Sequence, residues 1–144
     1  MDNRLKILFL CTGNSCRSQM AEGICRNLKN DKIESFSAGT EKHGLNKNAV
    51  KVMAEIGIDI SDHYSKTVDE ISEKEFDFVV TVCGHANEHC PYFPAKTAVI
   101  HKGFDDPPKL ALTAETEEQA LDFYRRVRDE IVDFINTLPG SLYS

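Results

Sequence analysis

The feature that most constrains how this chain can fold is the stretch at residues 10–18, which reads Leu-Cys-Thr-Gly-Asn-Ser-Cys-Arg-Ser. Residues 5–10 form an apolar run interrupted by one lysine, which is typical of a buried strand. After the stretch, Met20, Ile24 and Leu28 recur at helical spacing. The sequence therefore predicts a strand that leads directly into a helix through a tight loop.

Such a loop can bind an anion, because successive backbone N–H groups and the open end of the following helix create a positive field. Cys11 opens the loop and Arg17 closes it, with five residues between them. The same field favours a thiolate at Cys11, and the guanidinium of Arg17 is a permanently charged fork that suits tetrahedral oxyanions. A cysteine at the end of an apolar strand is by itself typical of core packing. The combined pattern instead indicates a nucleophile inside an anion-binding loop.

The longer string at residues 11–23, Cys-Thr-Gly-Asn-Ser-Cys-Arg-Ser-Gln-Met-Ala-Glu-Gly, resembles the low-molecular-weight tyrosine phosphatases and, more closely, their thioredoxin-coupled arsenate reductases. The phosphatases typically carry proline where Gln19 stands. The resemblance covers essentially the whole chain, and it implies that Cys11 attacks the oxyanion and Arg17 binds it. The other residues of the oxyanion-binding loop are then Thr12, Gly13, Asn14, Ser15, Cys16 and Ser18.

The remaining sequence alternates predicted strands with predicted helices. The further strands are predicted at residues 32–39, 76–82 and 97–101, and the further helices at residues 46–56, 68–74 and 116–137. Asn46 is a predicted N-cap, and residues 103–108 are expected to form an irregular loop because they contain two prolines. The alternation predicts an α/β fold with a parallel sheet. The resemblance implies a three-layer sandwich with four parallel strands, and the length predicts a single domain over residues 1–144.

Composition and charge restrict the class of protein. Hydrophobic residues make up 41% of the chain and charged residues 28%, which is typical of a globular protein. The net charge of −6, without a basic stripe, argues against a nucleic-acid partner. No apolar run is long enough to span a bilayer and the charged first residues lack a signal-peptide pattern, so we expect a cytoplasmic protein without membrane contact. We also expect a monomer without a cofactor.

The five cysteines are the second informative feature, and no two of them form a Cys-x-x-Cys pair. In a chain with an intracellular pattern, redox or catalytic use is better supported than a disulfide framework. Cys83 and Cys90 lie close together, with two histidines between them. These residues could bind zinc, although no second pair of ligands follows nearby, or the two cysteines could pack on one helical face; the presence of Cys11 favours a redox role. Cys16 and Cys25 are assigned no redox role.

The resemblance implies a relay of three cysteines, Cys11, Cys83 and Cys90, that carries electrons to arsenate from thioredoxin or a similar dithiol protein. Phosphate is expected to compete weakly with arsenate. A helix over residues 83–90 would separate the Cα atoms of the second and third cysteines by roughly 10 Å, whereas a disulfide requires about 4.4–6.8 Å. The segment is therefore expected to unwind when it is oxidised.

The oxygen that leaves the attacked centre needs a general acid. Asp105 and Asp106 both lie on the expected loop, and the resemblance implies the aspartate directly before proline, Asp106. Asn14 is expected to adopt a left-handed turn. Ser18 is expected to donate a hydrogen bond to the Cys11 thiolate, which would lower the pKa of that thiol.

Some reductases of the resembled family bind potassium beside the loop, through residues that match Asn14, Glu22 and Ser37 plus an aspartate. The position of that aspartate is occupied here by Lys66. Its ammonium group could take the place of the cation beside Glu22, so we predict no metal ion and treat potassium binding as the weaker alternative. A further alternative is that Lys66 is a solvated loop residue.

Two other functions remain open at this point. A low-molecular-weight phosphatase acting on phosphotyrosine or on small phosphate esters would use the same loop. Family phosphatases, however, typically carry tyrosines just after the Asp-Pro pair, where Pro108, Lys109 and Leu110 stand here. A non-enzymatic sensor of metals or arsenite would use the thiols but would leave the Cys-x5-Arg loop unexplained. The sequence therefore favours arsenate reduction.

Overall fold

The computed structural model describes residues 3–71, 75–82 and 95–143. The strands are β1 (Leu5–Cys11), β2 (Ile33–Gly39), β3 (Phe76–Thr81) and β4 (Ala95–His101). The α-helices are α1 (Arg17–Lys29), α2 (Lys47–Glu55), α3 (Pro107–Ala111) and α4 (Glu117–Asn136), and short 3₁₀ helices lie at Val68–Glu70 and Gly140–Tyr143. Within these described ranges, no helix combines the length and the apolar character that crossing a bilayer requires.

The strands form one parallel sheet in the order β2-β1-β3-β4. In the register of this sheet Cys11 pairs with Gly39, and Leu10 pairs with Thr81. The carboxyl ends of β1, β2 and β3 therefore meet at one edge, which is where open α/β sheets bind their ligands. The predicted α/β fold with four parallel strands is confirmed.

The central strand β1 is buried on both of its faces. Ile7 and Phe9 belong to the larger core cluster, which contains side chains from α1, α2 and α4. Leu8 and Leu10 belong to a smaller cluster on the other face of the sheet. All four side chains are fully buried, which accounts for the continuous apolar run in the sequence. The core thus fixes the point at which the chain enters the loop after Cys11.

Helix α2 begins at the predicted N-cap. The Asn46 side chain accepts hydrogen bonds from the N–H groups of Asn48 (2.9 Å) and Ala49 (3.0 Å). Gly57, with a φ of 80°, follows the helix at its carboxyl end. The backbone N–H of Asn46 also donates to the Ser15 carbonyl (2.9 Å). One residue therefore starts α2 and ties it to the anion loop.

The expectation of an irregular loop over residues 103–108 is wrong at its end. Helix α3 begins at Pro107, with Pro108 at the next position and Asp106 as the residue before the helix. Proline fits the first turn of a helix because its missing N–H would have no intrahelical partner there and its φ is already helical. The prolines therefore start a short helix rather than exclude one, and Asp106 is held at its first turn.

The predicted helix over residues 68–74 is confirmed only for its first three residues, and residues 72–74 lie outside the described part of the chain. A 3₁₀ turn over Val68–Glu70 ends at Ile71, whose backbone is extended with φ −79° and ψ 131°. Ile71 is buried in the smaller core cluster. The burial of this one apolar side chain outweighs the helix propensity of the acidic residues around it.

Candidate active site

The anion loop lies between β1, which ends at Cys11, and α1, which begins at Arg17. Asn14 has a φ of 47°, in the left-handed region that was predicted for it. Asparagine adopts this conformation more readily than most residues because its short polar side chain bonds locally. Helix α1 has no side-chain cap at its N-cap residue Cys16 and, among the described residues, no acidic side chain in its first turn. An anion can therefore approach the positive end of this helix.

The loop carbonyls are engaged by neighbouring segments. The bonds join Thr12 O to Glu41 N (2.9 Å), Gly13 O to His43 N (3.0 Å) and Ser65 Oγ (2.8 Å), and Ser15 O to Asn46 N (2.9 Å). These carbonyl oxygens would repel an anion if they faced it. Binding them to outside donors fixes the peptide planes of the loop and so favours N–H groups on the side of the anion.

Two glycines allow the close approaches on which the loop depends. A Cβ atom on Gly13 would overlap Nδ1 of the His43 ring. A Cβ atom on Gly39 would lie 2.6 Å from the carbonyl oxygen of Thr12 and 2.8 Å from the backbone nitrogen of Asn14. No side chain fits in either place. His43 and the end of β2 therefore pack directly against the loop.

Cys11 lies at the bottom of the site and is 3% exposed. Its Sγ is 2.9 Å from Oγ of Ser18, as predicted. The Asn14 side-chain amide donates to the same Ser18 oxygen (2.9 Å). A thiolate can only accept, so the Ser18 hydroxyl, which keeps its own hydrogen while its oxygen accepts from Asn14, donates to the sulfur in that form and stabilises it.

Arg17 and Asp106 line the same cavity as Cys11. The Arg17 guanidinium donates to the Phe104 carbonyl (2.9 Å), and a second guanidinium nitrogen is 3.6 Å from Oδ1 of Asp106. Asp106 is 41% exposed in its side chain, whereas Arg17 is 12% exposed. Asp105 instead pairs with Arg126 of α4 at 3.2 Å. Of the two aspartates, the one chosen from the sequence is thus the one beside the anion loop.

These groups surround one cavity of about 390 Å³. Its lining residues are Cys11, Thr12, Gly13, Ser15, Cys16, Arg17, His43, Asn46, Asp106 and Pro108. Asn14 and Ser18, which also belong to the loop, are fully buried and do not line this cavity. Cys83 and Cys90 lie outside the described residues. The structure therefore brings together the predicted nucleophile, the predicted anion ligand and the predicted acid.

A family model for low molecular weight phosphotyrosine protein phosphatases matches residues 6–139 of the chain. The arsenate reductase of Halalkalibacterium halodurans is 51% identical over 135 residues, which are 94% of this chain and 95% of that protein. The arsenate reductase of Bacillus subtilis is 51% identical over 131 residues, 91% of each protein. The chain belongs to the arsenate reductases of this phosphatase family. The resemblance inferred from residues 11–23 is confirmed, and a non-enzymatic sensor is set aside.

Solved structures agree with this membership. An arsenate reductase in its phosphate-binding state superposes with a TM-score of 0.75 at 29% sequence identity, covering 95% of this chain and 98% of that one. That likeness extends over nearly the full length of both chains, so the two proteins share the same overall fold.

Two further cysteines of this family member are held as neutral thiols. Burial raises the pKa of the Cys16 thiol well above its usual range, although the adjacent Arg17 opposes the shift. Burial likewise raises the pKa of Cys25 to about 12, with Lys29 and Arg26 opposing it. A thiol that stays protonated is a poor nucleophile. The geometry thus agrees with assigning neither cysteine a redox role.

The position beside Glu22 is filled by side-chain cations. The Lys66 Nζ lies 3.8 Å from Oε1 of Glu22, which also accepts from the Ser37 hydroxyl, and Arg26 donates to Oε2 at 2.5 Å. Burial lowers the pKa of Lys66, and Arg26 adds to that shift while Glu22 opposes it. Within the described residues, no cluster of three or more histidine, cysteine, aspartate or glutamate residues is arranged to hold a metal. The residues here do not fit a resident potassium ion, and the alternative of a freely solvated Lys66 does not hold either.

The sequence analysis did not predict that His43 lines the cavity, nor which residues Gln19 contacts. His43 lines the cavity through its packing on Gly13. Its position just after β2, at the sheet edge where ligands bind, was the one available hint. Gln19 contacts the segment around residue 63, which is 44 positions away in sequence. Contacts over such separations leave no periodic pattern to read.

Proposed function

We propose that this protein reduces arsenate to arsenite through a three-cysteine relay that thioredoxin or a similar dithiol protein resets. The observation that carries the proposal is that Cys11, Arg17 and Asp106 line one cavity. The carbonyl groups of the loop around it accept hydrogen bonds from neighbouring segments. That arrangement provides a nucleophile, a cationic oxyanion ligand and an acid for one reacting centre. We expect the protein to act as a cytoplasmic monomer without a cofactor.

In the first step arsenate binds to the N–H groups of residues 12–18 and to the Arg17 fork. The Cys11 thiolate attacks the As(V) centre, and one arsenic–oxygen bond breaks. Asp106 gives its proton to the leaving oxygen, which departs as water. The product of this step is a Cys11–S–As(V) adduct. Phosphate has the same shape and charge, so it competes for the loop, but weakly.

In the second step the Cys83 thiolate attacks Sγ of Cys11. The sulfur–arsenic bond breaks and its electron pair stays on arsenic, which leaves as arsenite, As(III). The two sulfurs are oxidised to a Cys11–Cys83 disulfide. Cys90 then attacks Cys83, which forms a Cys83–Cys90 disulfide and releases the Cys11 thiolate. The dithiol protein finally reduces this disulfide and is itself oxidised, so electrons balance over one cycle.

The residue that follows β3 supports the choice of Cys83 as the thiol that attacks Cys11. The N–H of Val82 donates to the carbonyl of Leu10 at 2.9 Å. Leu10 directly precedes Cys11, and Val82 directly precedes Cys83. The backbone of Val82 thus lies beside β1, one residue before Cys83 in the sequence and one residue before Cys11 on the neighbouring strand. An attack of one thiol on an adduct of the other requires the two sulfurs to be close together, and this sequence position is the support for assigning that attack to Cys83.

A phosphatase activity on small esters is a second candidate, because a phosphoryl group on Cys11 could be released by water. The groups for the first step are the same, and the matching family model is that of phosphatases. The cavity is lined by Pro108 and His43 rather than by tyrosine or phenylalanine among the described residues. We therefore expect slow hydrolysis of small phosphate esters and even slower hydrolysis of phosphotyrosine in proteins.

The test is arsenate turnover with purified thioredoxin, thioredoxin reductase and NADPH, run beside hydrolysis of p-nitrophenyl phosphate. We expect arsenate-dependent oxidation of NADPH and release of arsenite, with ester hydrolysis much slower. Ester hydrolysis without any arsenate-dependent oxidation of NADPH, also with glutaredoxin as reductant, would overturn the proposal in favour of a phosphatase.

A further inference from the structure

Gln19 is a buried polar residue that the mechanism above does not use. It lies in the first turns of α1, behind the anion loop, and is 0% exposed. Its side-chain nitrogen donates to Oδ1 of Asn14 (3.0 Å), to the backbone oxygen of Asn14 (3.2 Å) and to the carbonyl of Tyr64 (2.9 Å). Its side-chain oxygen lies 2.9 Å from Nδ1 of His63. A buried amide with every polar atom engaged is held in one orientation.

The neighbour of His63 decides the direction of this last bond. NH1 of Arg26 lies 3.3 Å from Nε2 of His63. A guanidinium can only donate, so Nε2 accepts and Nδ1 carries the hydrogen that goes to Gln19. This arrangement requires a neutral His63 ring. Burial lowers the pKa of His63, which favours that neutral form. The cations Arg26 and Lys66 add to the shift, whereas the carboxylates of Glu22 and Asp62 oppose it.

The same direction continues to the nucleophile. Gln19 donates to Asn14, the Asn14 amide donates to Ser18 Oγ at 2.9 Å, and Ser18 Oγ lies 2.9 Å from Cys11 Sγ. Each group thus passes a hydrogen toward Cys11. A reversed Asn14 amide would present its oxygen to Ser18, and the Ser18 hydrogen would then turn away from the sulfur.

We propose that Gln19 is a positioning residue, which holds the Asn14 side chain in the orientation that makes Ser18 donate to the Cys11 thiolate. The backbone N–H of Lys66 also donates to Oδ1 of Asn14 (2.9 Å). Gln19 therefore supplies one of the two hydrogen bonds that hold this oxygen in place. The inference rests on the proposed role of Cys11 as nucleophile. It extends the site from Cys11 in the cavity to the half-buried His63 through four consecutive hydrogen bonds.

The test compares Gln19→Glu and Gln19→Met with the wild-type protein. Gln19→Glu keeps the shape and the bond from His63 but turns a donor toward Asn14 into an acceptor. Gln19→Met keeps the length and removes both polar atoms. Gln119→Met, on the exposed face of α4, is the matched control. The other ionisable side chains that line the cavity with Cys11 are unchanged in every variant: Cys16, Arg17, His43 and Asp106.

The readout is the pH dependence of iodoacetamide alkylation at Cys11, followed by peptide mass analysis so that the other thiols are counted separately. We expect the midpoint to move upward by about one pH unit in both Gln19 variants, since a hydrogen bond to a charged group is worth at least that much. The control should titrate as the wild type does. Folded Gln19 variants with the wild-type midpoint would overturn the proposal.

A measurement on the wild-type protein covers the case in which the variants do not fold. The ¹⁵N shifts of the His63 ring should show the tautomer protonated at Nδ1, and protonation at Nε2 would overturn the direction of the chain. Neither readout uses arsenate. Their failure therefore leaves the reductase proposal standing, while retention of arsenate reduction in Cys11→Ser would remove that proposal by itself.

Discussion

The front and the rear of the anion loop satisfy their polar groups differently. We call Cys11, Arg17 and Asp106 the front, and the buried cluster of Asn14, Ser18, Gln19 and Glu22 the rear. At the front, Arg17 and Asp106 are 3.6 Å apart and face an open cavity. At the rear, Asn14, Ser18, Gln19 and Glu22 are buried and hydrogen-bonded. Within the described part of the chain, no buried side-chain nitrogen or oxygen lacks a partner.

This difference assigns two kinds of work to one loop. The rear is complete without a ligand, so it holds the loop rigid before substrate arrives, which removes the cost of ordering it during the reaction. The front keeps its charges for the oxyanion. Substitutions at the front should therefore lower the reaction rate with little effect on stability. Substitutions at the rear should first change the stability of the fold or the pKa of Cys11.

The largest expected effect is that of Cys11→Ser at the front. It should abolish arsenate reduction and any ester hydrolysis together, because both begin with attack by the same sulfur and serine has no comparable anion at neutral pH. The thermal midpoint should stay close to that of the wild type. The measurement is the pair of assays above with a melting curve, and retention of either activity would remove Cys11 from its assigned role.

The next largest effect tests whether the front residues are sufficient for repeated turnover without Cys83 and Cys90. Cys83→Ser should block repeated turnover of arsenate, because the Cys11 adduct then has no second thiol to attack it. Ester hydrolysis needs only water and should survive. Cys90→Ser should complete one turnover and then stop as a Cys11–Cys83 disulfide. A peptide map after one equivalent of arsenate separates these outcomes, and arsenite release with Cys83 and Cys90 both reduced would contradict the relay.

A smaller effect distinguishes the two aspartates. Asp106→Asn should slow the first chemical step by about 10²–10⁴-fold, the usual contribution of a general acid, and should leave oxyanion binding largely intact. Asp105→Asn is the matched control, because Asp105 pairs with Arg126 and should change the rate little. Single-turnover rates of arsenite formation measure both. A larger loss in Asp105→Asn would show that the choice between the carboxylates is wrong.

The contrast between front and rear also explains how far the sequence could lead. The strand, loop and helix around Cys11 were predictable because an apolar run, a Gly-Asn turn and helical spacing follow one another without a gap. The start of α3 at Pro107 was not, because two adjacent prolines usually indicate a loop, and the sequence alone does not show that they stand in the first turn of a helix, which accepts them. The partners of Gln19 were not predictable at all, because the contacts of the rear join segments far apart in sequence.

The smallest effect concerns the rear cluster, where Lys66 lies 3.8 Å from Glu22. Lys66→Asp should replace an attraction by a repulsion between two carboxylates, which Arg26 only partly offsets. We expect a loss of about 1–3 kcal/mol in the free energy of unfolding, the range for a buried polar group that loses its partner. This loss corresponds to a lowering of the thermal midpoint by several degrees.

We expect the same variant to respond to potassium and the wild-type protein to show no such response. The introduced carboxylate, together with oxygen ligands from Glu22, Asn14 and Ser37, could then bind a cation in the place of the ammonium, and binding to the folded state alone raises the thermal midpoint. The measurement is the midpoint in potassium chloride and in tetramethylammonium chloride at equal ionic strength, so that screening is the same. Lys66→Met, which removes the charge without adding a carboxylate, should show no such difference. An equal potassium response in the wild-type protein would mean that the Lys66 ammonium does not occupy the cation position, and the rear of the loop would then be incomplete in the same sense as the front.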